Sequence, residues 1–128
     1  MNAYSKQELS VIGESIAATH LINSGYAVVC RNFRQACGEI DLIVEKDQRL
    51  IFCEVKTRTS HYMEMALASV AYTKQKKISK TAQIYINQNP RFCNHIFRFD
   101  VLVVFYFSDT DTLSVHHFED AFFPIVEN

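Results

Sequence analysis

The sequence predicts an α/β fold with a mixed five-stranded sheet, in the order helix, three strands, helix, two strands. Two stretches carry apolar residues at helical spacing, and five shorter ones alternate or run apolar at strand length. The second helical stretch lies between the third and fourth strands. That strand-helix-strand step calls for a right-handed crossover and one parallel pair. The length of 128 residues fits one domain spanning 1–128.

Ser5 followed by Glu8 forms a capping box that opens the first helix. Leu9, Ile12, Ile16, Ala17 and Leu21 give it one apolar stripe, and Gly25 fits its stop. Tyr26 to Phe33 reads as the first strand. Gly38 breaks that pattern. Glu39 to Glu45 is the second strand, with Ile40, Leu42 and Val44 expected on one face. Lys46 to Arg49 is a polar turn without an Asn-Gly or Asp-Gly signal. Leu50 to Arg58 is the third strand, and Thr59 to Glu64 is loop.

The second helix covers Ala66 to Gln88, with Val70, Ile78, Ala82, Tyr85 and Ile86 as core contacts, and Asn89-Pro90 ends it. Ile96 to Phe107 suits a strand buried on both sides, with Phe97, Phe99, Phe105 and Phe107 in the core. Arg98 and Asp100 interrupt it and are expected to pair with each other. Ser108 to Asp111 is a turn and Thr112 to Phe118 the last strand. The apolar ending, Ala121 to Val126, is expected to dock on the body.

Composition narrows the function classes. Thirteen Lys+Arg against fourteen Asp+Glu give a net charge of -1. That balance argues against a polycationic coat and an acidic tail, and leaves room for a local basic patch. Cys30, Cys37, Cys53 and Cys93 form no C-x-x-C pair, so they read as reduced thiols of a cytoplasmic protein. The opening residues MNAYSKQELS are not expected to act as a signal peptide, and the run Val101 to Phe107 is too short to span a membrane. His61, His95, His116 and His117 lack metal spacing and are expected at the surface or at strand ends.

The chemistry lies on the central hairpin. Leu50, Phe52, Glu54 and Lys56 share one face of the third strand, which starts apolar and ends charged. A turn centred between Asp47 and Gln48 sets Asp41 opposite Glu54 and Glu39 opposite Lys56. Two carboxylates at that separation repel. A raised pKa on one of them, or a divalent cation held by oxygen ligands, offsets the repulsion. On spacing alone, a solvated salt-bridge ladder explains these charges equally well.

GEIDLI at 38–43 followed by EVKTR at 54–58 resembles the PD-(D/E)XK nuclease superfamily. The whole chain resembles the small bacterial UPF0102 (YraN-like) proteins. The likeness includes Gly13-Glu14 with Ala17, Gly25-Tyr26, Arg31-Asn32, a lysine-rich helix start, Arg98-Phe99-Asp100 and Ala121-Phe122. One departure is the stretch 60–70, which reads SHYMEMALASV where such proteins usually carry a glycine.

The resemblance implies a restriction-endonuclease-like core and a Mg²⁺- or Mn²⁺-dependent nuclease. Its substrate would be DNA, and branched or junction DNA by analogy with resolvases. Asp41 and Glu54 match the metal-binding acids, Lys56 the catalytic lysine, Glu14 an assisting acid, and the Val55 carbonyl a further ligand. Lys74, Lys76 and Lys77 start the second helix against its dipole, which suits phosphate contact as well as a solvated face. The alternative function is a nucleic-acid-binding accessory protein that keeps the fold without cleaving. A third is a structural protein whose hairpin charges form a ladder. The edges of the first and last strands are where a second copy would pair as a homodimer.

Overall fold

Ser5 caps helix α1 (Lys6–Asn23): its hydroxyl accepts from the Glu8 N–H at 3.1 Å, and the Glu8 carboxylate accepts from the Ser5 N–H at 3.0 Å. This is the expected capping box, seen in a computed structural model that describes residues 4–59 and 70–124. At the other end, the N–H groups of Gly25 and Tyr26 bond the carbonyls of Ile22 and Leu21, which closes the helix.

Three antiparallel strands follow: β1 (Ala27–Gln35), β2 (Gly38–Lys46) and β3 (Arg49–Arg58). The β2–β3 turn places Asp47 and Gln48 at φ 52° and 63°. Two left-handed residues match the twist of a tight hairpin, here without glycine. The pairs Lys46↔Arg49 and Leu42↔Cys53 follow the expected register.

Helix α2 (Tyr72–Gln88) is shorter than expected. Val70 and Ala71 lie outside it, and 66–69 fall outside the described residues, as does most of the expected loop. Ala71 is extended, at ψ 145°, and no side chain caps the helix start. Val70 packs into the core instead of winding into the helix. A 3₁₀ turn (Pro90–Phe92) leads to β4 (Ile96–Phe107) and then β5 (Thr112–Phe122). The last strand runs to Phe122, which stacks on Phe99 with ring centroids 5.0 Å apart. Residues 125–128 lie outside the described part.

The sheet order is β1-β2-β3-β4-β5. The β3–β4 pair, bridged by α2, is parallel as expected, and β4–β5 is antiparallel. Helix α1 packs Ala17, Ala18 and Leu21 on one face, over Leu42, Val44, Ile51, Cys53, Leu102 and Val104. Helix α2 packs Ile78, Ala82 and Tyr85 on the other, over Ile40, Ile43, Leu50, Phe52, Phe99 and Phe105. Phe97 is 37 % exposed at the entry to β4, so it is no core residue.

One expectation fails in an instructive way. Leu42 and Val44 face α1, but Ile40 faces α2 together with Ile43. The partners on β1 do the same: Cys30 opposes Ile43 and Phe33 opposes Ile40, all toward α2. A step of three residues on one face breaks strict alternation. Asn32 has φ 52°, a left-handed backbone that inverts the phase of β1, and β2 follows it. Asp41 sits in that inversion, so its side chain is committed to neither core.

Candidate functional site

The β2–β3 ladder ends at Leu42↔Cys53. One residue further on, the Asp41 carboxylate takes the place of a backbone acceptor, receiving the Val55 N–H at 2.7 Å. A cleft of about 500 Å³ opens where the strands part. Although α1 and α2 cover opposite faces, both contribute to it: Glu14 from α1, Lys74 and Lys77 from α2. Asp41, Glu39 and Glu54 line it from the sheet, and Asn32 and Arg34 from β1.

Two glycines let the helices come this close. A Cβ on Gly13 would meet the Thr57 hydroxyl at 2.0 Å, so the backbone of α1 lies against β3 one residue before Glu14. A Cβ on Gly38 would meet the Thr81 hydroxyl at 2.9 Å and the Lys77 carbonyl at 3.3 Å, which docks α2 on the start of β2.

The electrostatics follow from this crowding. Burial pushes Asp41 up to about 7, the Glu54 carboxylate adds to the shift, and the Val55 N–H opposes it. Glu14 is also raised, by burial first and then by Glu39, while its hydrogen bond with Asp41 pulls the other way. Glu54 is only 8 % exposed, and its carboxylate pairs with the Lys74 ammonium. Lys56 is half-buried and its pKa is lowered, by desolvation and then by Arg58, with Glu54 opposing.

The expected site residues are thus placed unevenly. Glu14, Asp41 and Glu54 meet in one cleft, and Lys74 and Lys77 join them. Lys56 stands beside Glu54 within Coulombic reach rather than in the lining. Lys76 and Lys80, with Lys77, flank a neighbouring groove beside Ala36 and Cys37. Glu39 opposes Arg34 across β1, with 3.2 Å between charged atoms, and not Lys56 as expected. The strands have diverged before that pair can form. Arg34 escaped the sequence reading, and Asn32 entered it only as part of the Arg31-Asn32 likeness, with no place in the site. Counting back from the Ala36-Cys37 turn places Arg34 opposite Glu39, whereas the only signal for a left-handed Asn32 is asparagine's general tolerance of that region, masked by the strand-like run around it.

A second polar cluster is structural. Asp100 is fully buried, and Arg98 grips it with two bonds of 2.8 Å, the expected pairing. His117 adds a bond of 2.7 Å and the Asp120 N–H one of 2.9 Å. His95 bonds Glu45 at 2.5 Å. These two histidines are therefore orienting partners of carboxylates and not free surface groups. Cys30, Cys37, Cys53 and Cys93 carry free thiols. No helix among the described residues is long and apolar enough to cross a membrane.

Glu14, Glu39, Asp41 and Glu54 bring four carboxylates to the cleft lining, oxygen donors of the kind that a divalent cation takes. Among the described residues, no group of three Asp, Glu, His or Cys side chains is placed to hold a metal ion. The carboxylates border an open cleft instead.

A mixed five-stranded α/β sheet with an acidic cleft at the mouth of its central hairpin defines the class of protein. The chain belongs to the uncharacterised protein family UPF0102, whose profile matches residues 13–104. A UPF0102 protein of Clostridium botulinum (strain Loch Maree / Type A3) is 38% identical over 119 residues, covering 93% of this chain and 97% of the relative. One of Clostridium tetani (strain Massachusetts / E88) is 39% identical over 122 residues, covering 95% and 98%.

Proposed function

We propose that this protein is a Mg²⁺- or Mn²⁺-dependent nuclease of the PD-(D/E)XK superfamily, with a restriction-endonuclease-like core, acting on DNA phosphodiesters. The observation that carries this reading is the meeting of Glu14, Asp41 and Glu54 in one cleft, with Asp41 driven toward its protonated form. Asp41 and Glu54 would hold the cation, with Glu14 and the Val55 carbonyl assisting. When bound, the cation supplies Lewis-acid polarisation of a phosphate oxygen and a water of lowered pKa.

Lys56, its pKa lowered by desolvation, would stabilise charge developing on the phosphate or orient an attacking water. Lys74, Lys76 and Lys77 offer positive charge to the phosphates along α2. The free thiols suit a cytoplasmic location. Branched or junction DNA is the preferred substrate class.

A second reading, a DNA-binding accessory protein that does not cleave, draws on the Lys74–Glu54 pair, which neutralises one carboxylate without any metal ion. Labelled junction, flap and linear DNA separate the two. With Mn²⁺, the nuclease reading expects cleavage by the wild type and loss with Asp41→Ala and Lys56→Ala. Equal activity in all three proteins excludes the mechanism. Binding without cleavage that survives Glu54→Gln supports the accessory reading.

A further inference from the structure

Glu54 is buried, yet the charge facing it belongs to an exposed side chain from another element. Lys74 is 52 % exposed, sits in the first turn of α2, and sends its ammonium to the Glu54 carboxylate. No acidic residue occupies that first turn and no side chain caps it. A lysine there opposes the helix dipole and gains nothing from its own helix. Its stabilising partner is therefore Glu54, across the cleft that Glu14 and Asp41 also line.

We propose that Lys74 is an exchangeable counter-ion: it occupies Glu54 until a divalent cation enters, then turns to a substrate phosphate in the same cleft. This rests on the cation reading above. A cation on Glu54 repels the ammonium at contact range, and the ion pair and the metal cannot share that carboxylate on equal terms. Lys74 is long and half in solvent, so release requires only side-chain rotation. Its next anionic neighbour in a loaded cleft is the phosphate. Cation and nucleic acid therefore bind cooperatively, each favouring the Lys74 position that the other needs.

Lys74→Met tests this because it acts on the two ligands with opposite sign. Calorimetry with Mn²⁺ alone should show the variant binding roughly tenfold tighter than wild type, within the usual range of coupling. Anisotropy of a labelled junction oligonucleotide with Ca²⁺, another oxygen-seeking cation, should show it binding several-fold weaker. Without divalent cation, the difference between the two proteins on the oligonucleotide should be smaller than with Ca²⁺. Lys80→Met, which removes a lysine of the same helix outside the cleft lining, should change Mn²⁺ affinity by no more than about twofold. Lys74→Arg keeps the charge and should not bind Mn²⁺ more tightly than wild type. Circular dichroism checks that each variant is folded.

If wild type binds Mn²⁺, Asp41→Asn abolishes binding, and Lys74→Met leaves it unchanged or weaker, the exchange is overturned while the cation site stands. If neither wild type nor Lys74→Met binds Mn²⁺, the cation reading fails and the exchange falls with it.

Discussion

The Val55 N–H donates to the Asp41 carboxylate at 2.7 Å, one residue beyond the last backbone pair of β2 and β3. A side chain thus finishes a ladder that the backbone abandons. Asparagine can accept the same bond through its amide oxygen while removing a charge that Glu54 and Glu14 repel. Asp41→Asn should therefore stabilise the cation-free protein, by ~1 kcal/mol or a few degrees in Tm. The same variant should lose any Mn²⁺-induced rise in Tm, since only a ligand that binds the folded state produces one. Thermal melts with and without Mn²⁺ check both signs.

The pH dependence follows from the same group. Asp41 is raised to about 7 by burial and Glu54, so between its unfolded value near ~4 and about 7 the folded state binds more protons than the unfolded one. Stability of the cation-free protein then falls as pH rises through that window and levels off above it. Urea unfolding at pH 5 and pH 8 should show a larger loss for wild type than for Asp41→Asn. Mn²⁺ affinity should run the other way, rising toward pH 7 as the proton leaves.

Gly13 positions Glu14 through contact with Thr57. Gly13→Ala should cost ~1–3 kcal/mol by overpacking, and weaken Mn²⁺ binding by moving α1 off β3. Adding Thr57→Ala removes the hydroxyl that the new Cβ meets and should restore part of both. Denaturant titration of the two variants measures the recovery.

Asp100 provides the contrast to Asp41. It is fully buried and held by Arg98, His117 and the Asp120 N–H. Asp100→Ala strands the Arg98 guanidinium and should cost ~3–5 kcal/mol. If enough protein folds at low temperature, its Mn²⁺ affinity should match wild type, because this cluster lies outside the cleft lining.

Much of this was legible in the chain. The polar turn at Asp47-Gln48 places Asp41 near Glu54, and the charged end of an otherwise apolar strand marks that face as unusual. Glu14 comes through the family resemblance, which matches it to an assisting acid, and not through spacing. Three features were not legible, each for a physical reason. The phase inversion at Asn32 depends on one left-handed residue, which alternation arguments assume away. Glu39 turns to Arg34 because β2 and β3 part before reaching Lys56. Lys74 reaches Glu54 through tertiary packing of α2 on β2, which rests on the missing Cβ of Gly38.

Crystals soaked in Mn²⁺ and measured at its absorption edge test the cation site most directly. The expected result is one anomalous peak between Asp41 and Glu54, roughly 2.1 Å from carboxylate oxygens, with the Lys74 ammonium displaced from Glu54. A cleft with no peak, and Lys74 still on Glu54 at saturating Mn²⁺, would contradict it.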